Sequence, residues 1–351
     1  MDHVQNAVLA AEMKDFFQQC INRMPVSKNM SETVALEYAR FLWGTGNRKG
    51  LAQRGQEDNS KYDVALAHSQ VDMQQLTMRV SLISDTLMLS QHNPGHSREI
   101  LSKASEVTIN DAVITKVGFR YSNLDAIGRW ILEAEPLLKS GLAWYLPHFW
   151  ETNSRSSAYY EGSRDYDSKV PIVDFLIQGK NRLIHSSDAD PIKSKIVRPI
   201  MEIDLPFLDG VNLRDFSDIT VSEFNSYINF RDFLRDRFLS IDDSMNAVES
   251  ERALMRIGIE IRDQVRATRS EMSATVRKRA VASSGAMVGS VGTILAAVYG
   301  PAFEEALKIL GVGAGLWGVM ESLSTSNIKQ LKDDKWYYVW ALYKKRGRGV
   351  I

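Results

Sequence analysis

Between Ala280 and Gly300 the chain carries no charged side chain, and small residues recur at Ala282, Gly285, Gly289, Gly292 and Ala296. After Pro301 and the acidic pair Glu304 and Glu305, a second apolar stretch runs from Ala306 to Leu323, with Gly311, Gly313, Gly315 and Gly318 at its small positions. Glycine inside a helix costs about 1 kcal/mol relative to alanine. So much glycine at helical spacing therefore demands a compensating gain, and close approach of two helix backbones supplies one. The reading that follows is a helical hairpin over 280–323, packed through Gly285, Gly289, Gly292, Gly311, Gly315 and Gly318.

Two environments suit such a hairpin. Buried within a protein, it is apolar all round because protein surrounds it on every side. In a bilayer, about 20 apolar residues span the hydrocarbon core, and small-xxx-small spacing packs the pair. Arg277, Lys278 and Arg279 before the hairpin, and Lys329, Lys332 and Lys335 after it, would then sit on one side of the membrane. Against insertion stand the Ser and Thr residues of the first stretch, and Lys308 and Glu321 in the second. The buried hairpin is the leading reading.

The rest of the 351 residues is ordinary: 44% hydrophobic, 25% charged, with 43 basic residues against 43 acidic. That composition excludes a disordered chain, and the charge balance excludes a uniformly basic nucleic-acid binder, so nucleic acid is not an expected partner. Cys20 is the only cysteine, so no internal disulfide forms, and a reducing cytoplasm fits. Met1-Asp2-His3 starts no signal peptide pattern.

Periodicity divides the chain into three regions. Residues 1–60 hold two amphipathic helices, 4–24 and 31–43, then a glycine-rich linker from Gly44 to about Lys61. Residues 61–210 read as a small α/β core. There, helices are expected over 62–78, 97–106 and 124–139, and strands over 80–89, 113–121 and 142–147. A polar loop covers 151–168, the run 171–177 is ambiguous, and 196–205 reads as an edge strand because of Pro199. Residues 211–351 are expected to be almost wholly helical. Thr220-Val221-Ser222-Glu223 matches a capping box, and a long arginine-laced helix spans about 245–280. The fold class is thus mixed α/β, predominantly helical, with the glycine-rich hairpin in an all-helical C-terminal half.

Catalytic signatures are sparse. Gly44 to Gly50 lacks the order of a phosphate-binding loop, and no nucleophile elbow occurs. Asp85, set in an apolar run, is the one weak catalytic candidate. With partners from Asp111, Asp125, Asp165, Asp167 or Asp174 it would serve a metal-dependent hydrolase or nuclease, but no pair has diagnostic spacing, and pairing with an arginine explains it equally. His92 and His96 flank a turn without the further ligands a zinc site needs. No cofactor or resident metal is expected. Trp336, Trp340, Lys344, Lys345 and Arg346 suit an interfacial membrane anchor, although a helix closing the core accounts for the same residues. The leading functional expectation is a non-enzymatic cytoplasmic interaction or regulatory protein with an unidentified protein partner or a second copy of itself. A membrane-acting effector using the hairpin and the tail is the alternative.

Overall fold

A computed structural model describes residues 4–23, 30–44, 60–69, 71–93, 95–101, 107–108, 111–155, 173–179, 182–185, 190–241, 247–283 and 334–345. The hairpin glycines, most of the 151–168 loop, and Arg346 lie outside them.

A five-stranded sheet organises the molecule. Its strands are β1 (Val64–Ser69), β2 (Leu87–Gln91), β6 (Ala143–Leu146), β8 (Phe175–Gln178) and β9 (Arg182–His185), in the order β6-β2-β1-β8-β9. The first four run parallel and β9 is antiparallel to β8. Three more strands, β3 (His96–Leu101), β4 (Val107–Thr108) and β5 (Asp111–Tyr121), follow β2, and β7 (His148–Arg155) pairs with β5. This second sheet is antiparallel throughout. The chain passes from one sheet to the other at Pro147, which has no backbone N–H to pair.

The helices are α1 (Ala7–Gln19), α2 (Met30–Gly44), α3 (Met73–Ser81), α4 (Leu124–Glu133), α5 (Glu135–Ser140), α6 (Pro191–Glu202), α7 (Leu213–Ser222), α8 (Phe224–Leu239), α9 (Ala247–Ser283) and α10 (Lys335–Lys345). Beyond β9, every described element is a helix. The N-terminal pair joins the same core as the sheet: Tyr38 of α2 donates its hydroxyl to the carbonyl of Tyr145 in β6 at 2.9 Å. Helices α2 and α4 meet so closely that a Cβ on Gly128 would stand 1.7 Å from the carbonyl oxygen of Ser31. Only glycine fits there.

Several expectations need correction. Residues 62–78 are not one helix: Val64–Ser69 is a strand, and α3 begins at Met73, where the Asp72 carboxylate accepts from the amides of Gln74 and Gln75. A parallel strand covered on both faces shows no alternation, so Val64-Ala65-Leu66-Ala67 passes for helix. The expected strand over 80–89 divides into the end of α3, a turn and β2. Residues 97–106 include β3 rather than a helix. The segment 196–205 is no edge strand: α6 holds Pro199 inside it and opens with Pro191 behind the Asp190 cap, whose side chain accepts from the Ile192 amide at 2.7 Å. Thr220 does not open a helix either. It lies within α7, and α8 starts at Phe224 without a side-chain cap.

Helix α10 closes the C-terminal half. Trp336 packs against Phe230 and Phe233 of α8, and Tyr338 meets Tyr227 edge to face. The Tyr338 hydroxyl lies 2.9 Å from that of Thr220, and Ser226 bridges the Tyr338 amide and the Asp334 carbonyl, each at 2.7 Å.

Candidate functional site

The parallel sheet has two edges with opposite chemistry. At the amino ends of its strands stand Asp63, Asp85 and Asp174, each held by the fold. Asp174 accepts from the Ala65 amide at 2.8 Å and pairs with Lys193 at 3.0 Å. Asp63 accepts from the amides of Thr86 and Ser60. Burial, and then the neighbouring Asp85 charge, push the Asp63 carboxyl up to about 6.

Asp85 lies between two arginines of α8: its Oδ1 is 2.9 Å from Arg231 and 2.8 Å from Arg235, and the Ser60 hydroxyl donates to its Oδ2. Arg235 also donates to the Ile83 carbonyl at 2.8 Å and stacks 4.0 Å above the Tyr62 ring. Burial alone would raise the Asp85 carboxyl, but the two guanidinium groups and Ser60 hold it below the usual carboxylate range. The geometry thus gives Asp85 a structural part, fastening the turn before β2 to α8. Of its proposed metal partners, the two that are described are engaged elsewhere. Asp125 is on α4 with Ser31 and Arg129, Asp174 is engaged by Lys193, and the side chains of Asp111, Asp165 and Asp167 lie outside the described residues. Among the described residues, no group of three or more His, Cys, Asp or Glu is placed to hold a metal ion.

The carboxyl ends of the strands differ. The strand order β6-β2-β1-β8 means that the chain leaves β1 toward β2 on one side, while β8 arrives on the other. In doubly wound sheets, ligands settle outside the carboxyl ends of the strands at such a reversal. His68, the penultimate residue of β1, stands at this point, beside Gln91 of β2 and Ile177 of β8 in the ladder. It is 3% exposed, and neither ring nitrogen has a hydrogen-bond partner. Burial lowers its imidazole to about 4, so the ring is neutral at pH 7, one nitrogen a donor and the other an acceptor. An imidazole left unpaired in a core costs about 1–3 kcal/mol.

Other polar groups of the β1 and β2 ends and of the helices beside them are ordered. The Gln91 side chain exchanges two hydrogen bonds with Ser122, at 2.6 and 3.0 Å. Gln74, in the first turn of α3, donates to Glu133 at 2.6 Å. Burial raises the Glu133 carboxyl, Arg129 lowers it, and Asp72 raises it further. Gly179 ends β8 in the left-handed region (φ 55°), its amide donating to the Ser69 carbonyl, and a Cβ there would meet nothing within 4 Å. In the sequence His68 is only a polar interruption after the apolar run Val64–Ala67, and no local spacing distinguishes it from an ordinary core histidine.

The tail residues are divided. Trp336 is in the core, 8% exposed, rather than free for a lipid interface. Lys344 lies 4.8 Å above the Trp340 ring, and Lys345 pairs with Asp215 at 3.0 Å. Among the described residues, no helix is long and apolar enough to cross a membrane.

Set against protein-family models, curated proteins and solved structures, this chain matches none. The class of the molecule is therefore given by its own architecture, a mixed α/β protein with a parallel-rich sheet.

Proposed function

We propose that this chain is a non-enzymatic interaction or regulatory protein, and that it docks an acidic, partly apolar helix or peptide on the outer face of α9. One observation carries the reading. Helix α9 buries Leu254, Ile257, Ile261 and Val265 against the body, yet it also exposes Met255 by 61% and Ile259 by 47% on its other side. Arg252 and Arg256 are exposed beside them at helical spacing. Met and Arg are enriched in protein interfaces, and an apolar pair with Arg252 and Arg256 on one flank, and the exposed Glu251 and Asp263 at its ends, complements a partner that places carboxylates opposite the two arginines and aliphatic side chains between.

The test uses the full chain and a synthetic amphipathic helix bearing Glu and Leu along one face. Wild type binds it, and the double variant Met255→Asp, Ile259→Asp weakens binding at least tenfold while circular dichroism and thermal midpoint stay unchanged, since both positions are exposed. Equal binding by the variant sinks the proposal. Self-association that the variant abolishes would make a second copy of this chain the occupant instead.

A further inference from the structure

The exposed face of α9 narrows the kind of acidic group that its partner presents. Resting on the docking reading above, we propose that the partner is a phosphopeptide: one phosphoserine or phosphothreonine is held between Arg252 and Arg256, and aliphatic side chains beside it cover Met255 and Ile259.

The arginines around this face are not equivalent. Arg262 pairs with Asp204 at 3.3 Å, Arg266 with Asp263 at 3.8 Å, and Arg237 of α8 with Glu260 at 2.7 Å. Among the described residues, Arg252 and Arg256 pair with no carboxylate, and both are exposed. They are four residues apart, which makes them neighbours on the helix surface, about 5–6 Å apart at Cβ. Two guanidinium groups at that spacing reach one common anion. A carboxylate brings one charge and fills one guanidinium fork. A phosphoryl group brings a charge of about two at neutral pH and three acceptor oxygens, enough for both forks.

The flanks of the pair favour concentrated charge over a row of carboxylates. Glu251 is next to Arg252, and Asp263 lies seven residues beyond Arg256; both are exposed. Carboxylates strung along a partner's face would meet these two, and like charges set together in an interface are costly. One dianion opposite the arginine pair avoids both. Met255 and Ile259, also four residues apart, form a row beside the arginine row. Leu254, Ile257, Ile261 and Val265 seat the opposite side of the helix on the body, so both rows are presented on a fixed support. An anionic membrane is drawn by clusters of about 4–8 basic residues, whereas the described face offers two free arginines between two carboxylates.

The experiment is isothermal titration of the full chain with three synthetic peptides of one amphipathic sequence, with two leucines on one face and a single serine, phosphoserine or glutamate beside them. The phosphoserine peptide binds about tenfold tighter than the glutamate peptide, and the serine peptide binds weakest. The double variant Arg252→Gln, Arg256→Gln keeps the thermal midpoint, since both side chains are exposed and unpaired, and it brings the phosphoserine and glutamate affinities together. Equal binding of the phosphoserine and glutamate peptides by wild type overturns this inference and leaves the docking reading standing, whereas binding of none of the three overturns both. A double variant that keeps the phosphoserine preference also overturns it. So does capture of the chain by vesicles containing phosphatidic acid when the phosphoserine peptide does not bind.

Discussion

His68 has its charged state suppressed by position alone. Its side chain is enclosed by the central strand and its neighbours, and the imidazole titrates near 4 instead of its ordinary value of 6.5. The unfolded chain therefore takes up a proton between pH 6.5 and 4 that the folded chain refuses. Stability from this group is complete above pH 6.5 and declines as pH falls toward 4, by about 3 kcal/mol at most. Asp63 has the opposite sign. Its carboxyl is raised to about 6, so its contribution is complete below its ordinary value of 3.8 and declines as pH rises through 6. Urea denaturation of wild type and His68→Leu between pH 4 and 7 separates them: the variant loses the acid-side decline and keeps the Asp63 decline. A wild type and variant with parallel stability curves would contradict the assignment. From the sequence, neither shift was legible, because burial of each group depends on strands and helices far away in the chain.

At the scale of elements, periodicity served where one face of an element meets solvent. Helices α1, α2 and α4 were legible for that reason, whereas β5 showed in its strict alternation and β6 in a short apolar run. Periodicity misled where both faces are covered, as in β1, and where proline sits inside a helix, as Pro199 does in α6. The tail shows the same limit: Trp336 and Tyr338 carry the amphipathic look of an interfacial helix, and the face that looks like a membrane anchor is turned onto α7 and α8. The junction between α8 and the sheet can be tested directly. Asp85 joins the turn before β2 to Arg231 and Arg235, both nearly buried. Asp85→Ala leaves the two guanidinium groups only the longer ion pairs to the exposed Asp232, at 3.8 and 3.5 Å, and is expected to cost about 3 kcal/mol in chemical denaturation. If Asp85 serves as a metal ligand instead, the same variant keeps wild-type stability in the presence of chelator.

For the molecule as a whole, the balance of 43 basic and 43 acidic residues excludes a uniformly charged surface and leaves local patches to decide its contacts. The uncharged stretch Ala280–Gly300 with its basic flanks motivates the membrane-acting alternative on sequence grounds alone. Flotation with liposomes containing anionic lipid discriminates: an interaction protein of the proposed kind stays with the soluble fraction, and co-flotation that is lost on Gly289→Glu would favour the membrane effector.

The sequence by itself determined the mixed α/β class, the helical character of the described residues after 211, and the unusual composition of 280–323, since each follows from local pattern and residue type. Tertiary structure alone decided that Asp85 is clasped by arginines from α8, that the aromatic tail belongs to the core, and that His68 stands unpaired where the parallel strands reverse. Each of these depends on long-range pairing, in which residues over a hundred positions apart share one low-dielectric interior, and no local spacing in the chain records such neighbours.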